Sequence, residues 1–462
     1  MIQLEDYTFG IDGIKPYILK NKKIAETLET QRKLLQLWKV QRPIIHNNMT
    51  FSTKDLEIYQ IDRLRNIVDT AFSTNPFYNQ LYSKVGYSRG DIITLDDYKA
   101  LPIITKDDLL DNENWLGGNL SPTLENAYRY TTSGSSGKVF TVYRDAVMNN
   151  MMWLNQLRFY EQILQRPLKQ KDWIYEIYLA APTFSSIADH YPFFTVSNEC
   201  PPEYVLAHLK LLKPSILSGF PSYLLNLASL IKDPAEFDFI EAIVTNSEAS
   251  SQQERDRISR AFGGALVCDE YSSIELSFIS MQCPHGNYHL VEDNVRVDII
   301  NENQLGQGEM IATNLHNTFL PFIRYNHGDK LALKQHGLEC RCGNKFRMLK
   351  QFEGRADQIL ISQKNGEISS FMIMSLYDRF LLAHDSNLLE FQIVQKEVNL
   401  IELNLVPKAN SKGINWSCID LFTSHLKELF GNDENLSIKI NEMAEILNPS
   451  YKRRLIINEL LH

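Results

Sequence analysis

Short apolar segments alternate with helical segments through the centre of the chain, and this alternation limits the fold more than any other feature. Residues 173–179, 241–245 and 265–268 each have the length and the apolar content of a buried strand. Between the last two lies a polar run, residues 250–262, that has the character of a helix and ends at two glycines. Strands that alternate with helices favour an α/β sheet architecture.

The pattern changes near residue 355, where we place a domain boundary. At 462 residues the chain is too long for one simple core. Residues 1–50 are polar without a strong pattern and are predicted to form an N-terminal extension, whereas residues 51–354 are predicted to form a large domain. Residues 355–462 contain alternating strands followed by an amphipathic helix, which is typical of a compact α+β unit.

Composition argues against several classes of protein. A formal net charge of −9 without a long basic run is unlike that of a general nucleic-acid binder. No apolar stretch approaches the ~20 residues of a membrane span, and the first residues lack the features of a signal peptide. We therefore expect a cytoplasmic protein with no nucleic-acid partner and no integral membrane segment. Its six cysteines are then expected to be thiols or metal ligands rather than disulfides.

A loop rich in hydroxyl groups and glycine has the chemistry that a polyphosphate needs. Glycines let the backbone turn and approach closely, hydroxyls donate hydrogen bonds, and a lysine supplies a point charge. The spacing is not that of a Walker P-loop, which would need glycine at Thr132 and serine or threonine at Val139. An ordinary solvent loop is the alternative. The residues predicted to contact phosphate are Thr132, Ser133, Gly134, Ser135, Ser136, Gly137 and Lys138.

Three of the six cysteines fall in two short segments, 283–289 and 340–343, together with two histidines. Three thiolates and one imidazole make a closed tetrahedral shell for Zn²⁺, and zinc held in this way is structural because no position is left for water. Reduced thiols without a metal are the alternative, since Cys-x-Cys is a less diagnostic spacing than Cys-x-x-Cys. The candidate ligands are Cys283, Cys340 and Cys342, with His285 or His289 as the fourth.

Further short segments complete a pattern that resembles a known superfamily. One of them, residues 269–275, follows a buried strand, so its side chains emerge at a strand's carboxyl end, where α/β sheets bind ligands. In this order, and together with the hydroxyl-rich loop, the segments resemble the acyl-adenylate-forming ligase superfamily. The closer resemblance is to its phenylacetate–CoA ligase-like members, including the CapK-like branch of capsule biosynthesis. The segments that carry the resemblance are 101–106, 132–138, 217–222, 269–275, 321–329, 353–357 and 448–454.

The resemblance implies a fold and a reaction. The fold would be α/β, with a large N-terminal multi-subdomain region of the acyl-adenylate-forming type and a small mobile C-terminal α+β domain. The reaction would use ATP and Mg²⁺ to convert a small-molecule carboxylate into acyl-AMP with release of pyrophosphate, after which an acceptor attacks the acyl carbon. The hydroxyl-rich loop would hold the β- and γ-phosphates.

The resemblance also implies roles for single residues. Glu275 matches the Mg²⁺-binding glutamate, and Asp329 matches the aspartate that accepts hydrogen bonds from both ribose hydroxyls. Arg355 matches an arginine near the ribose and phosphates, and Asp357 occupies the hinge about which the small domain swings. Lys452 matches the lysine that reaches into the site during adenylation. The predicted catalytic residues are Lys138, Glu275 and Lys452.

Two more residues, Glu248 and Tyr271, are expected at the ATP site, and the resemblance favours His289 over His285 as the fourth zinc ligand. Each assignment has an ordinary structural alternative. The predicted Mg²⁺ ligand could be a carboxylate at a helix N-terminus, and an aspartate that follows a glycine could cap a turn. The predicted catalytic lysine could belong to a solvated basic end of the chain.

Two departures from the family pattern leave the substrates open. Ser272 and Ile274 stand where the family usually has glycine and threonine, and residues 364–370 lack the proline that ends a glycine-rich loop in the CoA ligases. CoA is therefore one candidate acceptor beside another thiol, an amine or a hydroxyl. A homodimer is the candidate assembly. The alternative functions are a non-catalytic nucleotide-binding descendant and a structural zinc-bearing interaction protein.

Overall fold

The computed structural model of the chain describes its secondary-structure elements and most of the residues between them. The described residues are 4–8, 10–19, 27–112, 127–131, 141–180, 185–304, 306–355, 359–384, 386–408, 411–446 and 453–461, without the side chains of residues 351–355 and 371.

The region up to residue 164 is mainly helical. Its helices and strands are α1 (Leu28–Asn48), α2 (Thr53–Thr74), α3 (Pro76–Ser83), α4 (Leu95–Lys99), α5 (Lys106–Leu110), β1 (Tyr128–Thr131), β2 (Thr141–Arg144) and α6 (Ala146–Leu164). Most of the helices begin at a side chain that accepts a backbone hydrogen bond, such as Ser52 before α2 and Asp145 before α6. Within the described ranges, no helix combines the length and the apolarity that crossing a bilayer requires.

A seven-stranded sheet, the central sheet, forms the middle of the molecule. Its elements and the helices between them are β3 (Ile174–Tyr178), β4 (Phe193–Ser197), α7 (Pro202–Leu212), β5 (Ile216–Gly219), α8 (Pro221–Leu230), β6 (Ala242–Thr245), α9 (Gln252–Ala261), β7 (Leu266–Ser273), β8 (Ser277–Gln282) and β9 (Tyr288–Leu290). The strand order is β4-β3-β5-β6-β7-β8-β9. The first five strands in this order are parallel, and β8 and β9 continue the sheet in antiparallel pairing.

Helices cover both faces of the central sheet. Leu157 of α6 belongs to one buried cluster with Ile174 and Ile216, whereas Leu224 of α8 belongs to another with Leu217. Because successive residues of a strand point to opposite faces, α6 lies on one face and α7–α9 on the other. The α/β alternation predicted from the sequence is confirmed.

A second sheet follows, with its own apolar core. Its four antiparallel strands are β10 (Val295–Ile300), β11 (Gln307–Asn314), β12 (Tyr325–Leu333) and β13 (Leu349–Arg355), in that order. Helices α2 and α3 supply Leu64, Val68 and Tyr78 to the core of this sheet. The backbone of Asn326 donates to Ile104 O at 2.8 Å, so that two of the segments recognised in the sequence, 101–106 and 321–329, meet here.

The small C-terminal unit is an α+β structure. Its elements are β14 (Leu360–Ser362), β15 (Gly366–Ile368), α10 (Ser370–Leu376), β16 (Leu388–Glu397), β17 (Leu400–Pro407), α11 (Trp416–Leu429), β18 (Ser437–Glu442) and β19 (Ile456–Asn458). The four-stranded sheet has the order β18-β17-β16-β19, and α11 packs Phe422 and Leu426 into its core. The predicted fold class, a large α/β region with a smaller C-terminal α+β domain, is confirmed.

The N-terminal residues pack against the large domain. Trp38 of α1 is buried in the same cluster as α6, and Arg42 and His46 reach Glu161 at 2.8 and 2.9 Å. Leu19 N donates to Thr195 O of the edge strand β4 at 3.0 Å. The polar composition of α1 is therefore explained by ionic partners on a distant helix. The proposed boundaries at residue 50 and at 354–355 remain predictions.

Candidate active site and metal centre

Strand β7 carries the segment 269–275 to the carboxyl edge of the central sheet. Asp269 is buried there and accepts hydrogen bonds from Ser250 Oγ at 3.0 Å and from Tyr288 OH at 2.9 Å. Burial raises the pKa of Asp269, while the nearby Arg255 and the hydroxyl donors oppose that effect. Because its partners belong to neighbouring elements of the large domain, this carboxyl group fixes the end of β7.

Tyr271 and Asp329, both expected at the ATP site, contact each other. Tyr271 OH donates to Asp329 Oδ2, and His327 Nδ1 lies 2.8 Å from the same oxygen. Asp329 is 3% exposed, so its carboxyl group depends on these neighbours for its orientation. Gly328, between the histidine and the aspartate, has φ +83°, which an L side chain rarely adopts. The turn allows both His327 and Asp329 to face Tyr271.

Arg355 is opposite Asp329 in the second sheet. The two residues are paired across β12 and β13 in the antiparallel register. This backbone pairing is consistent with the expected position of the arginine near the ribose site. The side chain of Arg355 lies outside the described atoms. Asp357 and Lys452 lie outside the described residues, and their predicted roles as hinge and catalytic lysine stay predictions.

Glu275 lies in the turn between β7 and β8 and is 9% exposed. Arg144, at the end of β2, donates from its guanidinium to the carbonyl of Ile274, the residue before Glu275. Burial lowers the pKa of Arg144, while Tyr130, Glu275 and Tyr178 favour its charged form. The predicted Mg²⁺ ligand is therefore next to a buried cation that the sequence did not identify.

The hydroxyl-rich segment 132–138 lies outside the described residues, but the strands on either side of it are described. Thr131 at the end of β1 pairs with Thr141 at the start of β2 in an antiparallel register. Arg144, three residues further along β2, makes the contact beside Glu275. The two strands that flank the segment in the sequence therefore form a pair that contacts the turn carrying the predicted Mg²⁺ ligand.

Glu248 connects the large domain with the C-terminal segment. Its Oε2 accepts from Ser222 N at 3.1 Å, and its Oε1 accepts from Arg453 N at 2.7 Å. The guanidinium of Arg453 donates to Glu254 Oε1 at 2.9 Å, and both side chains are buried. Arg453 is thus an ion-paired residue of a domain contact and does not belong to a solvated basic end. The residue next to it in the sequence is Lys452.

Sequence reasoning missed three residues around this site. His327 had a detectable signal, because it precedes Asp329 by two positions on a strand and so shares its face. Arg453 had none, since its glutamate partner is 199 positions away in the chain. Arg144 also had none, because it is the last residue of a strand without a distinctive motif and its contact with Ile274 spans 130 positions.

Four predicted metal ligands form a second cluster, at the β8–β9 turn. The ligand atoms of Cys283, His289, Cys340 and Cys342 all lie within 4.8 Å of one another, and the cluster contains His289 but not His285. The sulfur atoms of Cys283 and Cys340 are 3.7 Å apart, and Cys342 Sγ lies 3.3 Å from His289 Nε2.

The protonation state of this cluster favours metal binding. His289 Nδ1 lies 3.0 Å from Phe346 O, which can only accept, so Nδ1 carries the proton and Nε2 faces the sulfur atoms with its lone pair. The hydrogen bond between Cys342 and Cys283 lowers the pKa of the Cys283 thiol and raises that of the Cys342 thiol. A thiolate is the form of cysteine that binds a metal.

Comparison with known proteins identifies relatives along most of the chain. No protein-family model matches the chain. It is 24% identical over 425 residues to Protein CapK of Staphylococcus aureus, covering 88% of this chain and 90% of that protein. It is 25% identical over 342 residues to the phenylacetate-coenzyme A ligase of Pseudomonas putida, covering 69% and 75%.

The fold has solved counterparts. The crystal structure of 2-hydroxyisobutyryl-CoA ligase in the postadenylation state, in complex with 2-HIB-AMP, matches with a TM-score of 0.70 at 18% identity, over 89% of this chain and 91% of that one. The same ligase in the thioesterification state, in complex with 2-HIB-AMP and CoA, matches with a TM-score of 0.57 at 17% identity, over 88% and 91%. In its ordered motifs, its fold and these relatives, the chain is similar to the acyl-adenylate-forming ligases, and in particular to their phenylacetate–CoA ligase-like members.

Proposed function

We propose that the enzyme activates a small carboxylic acid with ATP and passes the acyl group to an acceptor. In the first half-reaction a carboxylate oxygen attacks the α-phosphorus, the bond from that phosphorus to the oxygen bridging it to the β-phosphate breaks, and pyrophosphate leaves. In the second, the acceptor attacks the acyl carbon and AMP leaves. The first step releases no proton, whereas a neutral acceptor loses one in the second.

The observation that carries this proposal is the hydrogen-bonded contact between Tyr271 and Asp329 at the carboxyl edge of the central sheet. The two residues are 58 positions apart in the sequence, and the family resemblance independently predicts both at the ATP site. An ionised aspartate accepts several hydrogen bonds, which is what two adjacent ribose hydroxyls require. Tyr271 and His327 would hold this carboxylate in the orientation in which it meets the ribose.

The other proposed ATP contacts act on the phosphates. Residues 132–138 would hold the β- and γ-phosphates through hydroxyl and backbone donors and stabilise the charge on departing pyrophosphate. Lys452 would neutralise the charge that develops between the carboxylate and the α-phosphate, a contact made mainly in the transition state. The next residue in the sequence, Arg453, is held by Glu248 and Glu254 of the large domain.

Glu275 is the residue that would hold Mg²⁺. Its carboxylate supplies the oxygen ligand that Mg²⁺ prefers, so the donor chemistry fits the ion. Bound Mg²⁺ neutralises charge on the triphosphate. The contribution of the chain is to fix the glutamate, since the Arg144 guanidinium is bonded to the carbonyl of the preceding residue, Ile274.

For the cysteine cluster we propose one structural Zn²⁺, bound by Cys283, His289, Cys340 and Cys342. A tetrahedral zinc site with Zn–S bonds of about 2.3 Å has sulfur atoms ~3.8 Å apart. The distance of 3.7 Å between Cys283 Sγ and Cys340 Sγ matches that edge of the tetrahedron. Four protein ligands complete the coordination shell, so this zinc would stabilise the fold and would not activate water.

CoA is the acceptor we would test first. Two relatives are named as CoA ligases, whereas the name of Protein CapK states no acceptor. Residues 364–370, which lack the proline expected in the CoA ligases, include the short β14–β15 hairpin turn and the beginning of α10. Another thiol, an amine or a hydroxyl remain the competing acceptors.

Exchange of labelled pyrophosphate into ATP tests the first half-reaction without knowledge of the acceptor. We expect exchange that depends on a carboxylic acid when aromatic, aliphatic, hydroxy and amino acids are tried in turn. The control is the same assay with the corresponding amides, which lack the attacking carboxylate. If folded protein with its metal gave no exchange with any acid, the proposed function would be wrong.

A further inference from the structure

The hairpin of β8 and β9 contacts the metal cluster with some of its residues and the end of β7 with others. Its turn lies between two of the candidate metal ligands, Cys283 and His289. The residue before each ligand, Gln282 or Tyr288, is paired with the other in the antiparallel register. Since successive residues of a strand point to opposite faces, Tyr288 points away from the face on which His289 meets the sulfur atoms.

Gln282 and Tyr288 both bind the same residue, Asp269. Tyr288 OH donates to Asp269 Oδ2 at 2.9 Å, and the backbone N–H of Asp269 donates to Gln282 Oε1 at 3.1 Å. The Gln282 side chain also donates from Nε2 to the carbonyl of Gly286, in the hairpin turn, at 3.2 Å. The hairpin that carries two metal ligands therefore holds Asp269 at both its backbone and its side chain.

Asp269 is close in the chain to the proposed nucleotide contact. Only Glu270 separates it from Tyr271 on strand β7, and an extended backbone leaves little freedom between two such positions. Tyr271 OH in turn donates to Asp329 Oδ2 on β12. A displacement of Asp269 would therefore move the tyrosine that orients the proposed ribose acceptor.

The other two metal ligands come from the second sheet. Cys340 and Cys342 lie in the connection between β12 and β13. These two strands carry Asp329 and Arg355, the residues proposed to lie near the ribose. A metal bound by all four ligands would cross-link this connection to the β8–β9 hairpin. The same two sheets meet at the contact of Tyr271 with Asp329, so the metal would constrain the parts of the chain whose relative position sets the ribose site.

The cross-link depends on the metal because the cysteines supply no covalent substitute. Cys283, Cys340 and Cys342 are free thiols, and the closest approach of Cys283 Sγ to Cys340 Sγ is a non-bonded distance of 3.7 Å. Metal binding adds folding free energy to the segments that supply its ligands. Without the metal, the hairpin turn loses that stabilisation, and the two side chains that hold Asp269 lose it as well.

We propose that the metal centre and the nucleotide site are energetically coupled through Asp269, and that Gln282 and Tyr288 are the positioning residues that transmit the coupling. This inference rests on the proposed function and on the proposed zinc site. Contiguous hydrogen-bond networks are one physical route for such coupling. Coupling between two binding sites is reciprocal, so ATP strengthens zinc binding by the same factor by which zinc strengthens ATP binding.

Equilibrium binding, measured in both directions, tests the inference. Calorimetry gives the Kd of ATP with Mg²⁺, in the absence of any acid, for zinc-loaded protein and for protein stripped of metal by a chelator. Competition with a chromogenic chelator gives the zinc affinity of the protein with and without saturating ATP, and a protein-free blank corrects for zinc bound by ATP itself. We expect each ligand to tighten binding of the other by at least about fivefold.

The variant Tyr288→Phe separates the proposed route from a general effect on the fold. It should keep one equivalent of zinc, weaken ATP binding by about 2- to 10-fold and reduce the coupling factor, because the hydrogen bond to Asp269 is lost. Gln282→Met, which loses both hydrogen bonds of the amide, should act in the same direction. Tyr204→Phe, at an exposed position, is the matched control and should keep the wild-type factor.

Coupling that arose only from global unfolding would give the two hairpin variants the wild-type factor. If the metal-free protein did not fold, the zinc competition and the ATP affinity of zinc-loaded Tyr288→Phe would carry the test. A zinc affinity unchanged by ATP, or a coupling factor unchanged in both hairpin variants, would overturn the inference and leave the proposed function intact. Absence of exchange with every acid would overturn the proposed function and this inference with it.

Discussion

At the scale of residues, the sequence revealed those functional groups that belong to short motifs of fixed spacing. Tyr271 and Asp329 were identified through the family resemblance, and the four candidate metal ligands were identified through the cysteine spacing together with that resemblance. Arg144 and Arg453 were not identifiable, since their roles depend on carbonyl and carboxylate partners more than a hundred positions away. Motifs therefore located reactive groups, whereas the charges around them could be found only in the folded chain.

The nucleotide contact is tested by Asp329→Asn and Tyr271→Phe. The amide keeps the shape of the side chain but loses the charge and one acceptor, so we expect kcat/KM for ATP to fall by about 10- to 100-fold. Loss of the tyrosine hydroxyl removes one hydrogen bond to the aspartate and should reduce kcat/KM for ATP by about 2- to 10-fold. Initial exchange rates, measured at varied ATP concentration and at varied acid concentration, give the KM for each of the two substrates.

The exposed Tyr204→Phe variant controls for the loss of a hydroxyl elsewhere in the chain. We expect the KM for ATP to rise more than the KM for the acid in the two site variants. Equal changes in both KM values would indicate a general structural role, and unchanged ATP kinetics would exclude Asp329 as the ribose acceptor.

At the scale of elements, the helices and strands with a local apolar pattern could be predicted from the sequence. Those stabilised by residues distant in the sequence could not. The strands β6 and β7 were predictable as short continuous apolar runs, and the helix α11 was predictable because its apolar residues follow the helical period. Helix α1 was not, because its burial depends on Trp38 and on ion pairs from Arg42 and His46 to Glu161. Helix α6 also buries polar groups, including the Arg158–Asp293 pair at 2.8 Å, so its pattern shows no clean apolar stripe. Both helices are therefore buried through partners distant in sequence.

Metal content tests the proposed role of the β8–β9 turn. The variant Cys342→Ser removes one of four ligands, so we expect purified protein to lose most of its one equivalent of zinc and to unfold at a lower temperature. The exposed His285→Gln variant, two residues from Cys283, should retain the metal because His285 is not in the cluster. Elemental analysis and thermal unfolding provide the two readouts. Wild-type protein from zinc-replete medium that contained no zinc would contradict the proposal.

At the scale of the whole molecule, the proposed two-step reaction depends on how the small domain meets the large one. The Arg453–Glu254 pair and the Glu248–Arg453 backbone contact join the two in the arrangement described here. Both contacts involve Arg453, the residue after Lys452 in the sequence, and Lys452 is the residue that we propose approaches the α-phosphate in the first half-reaction only. We therefore propose that this arrangement is the one that performs adenylation.

This account predicts unequal effects of Arg453→Gln on the two half-reactions. Removing one partner of a buried ion pair leaves Glu254 unpaired and weakens the docked arrangement. We expect acid-dependent exchange to slow by about 10- to 100-fold, while transfer from supplied acyl-AMP changes little. Lys439→Gln, at an exposed pair with Glu402 in the same small domain, is the control and should alter neither rate. Equal losses in both half-reactions would show that Arg453 serves only to stabilise the fold.

The central claim is that the carboxylate oxygen itself attacks the α-phosphorus, and isotopic oxygen tests it most directly. An acid found to support exchange is labelled with ¹⁸O in its carboxylate and incubated with ATP, enzyme and hydroxylamine, which takes the acyl group from acyl-AMP. The account predicts AMP that carries one ¹⁸O atom and pyrophosphate that carries none. Formation of ADP with labelled inorganic phosphate, or of AMP without label, would contradict it.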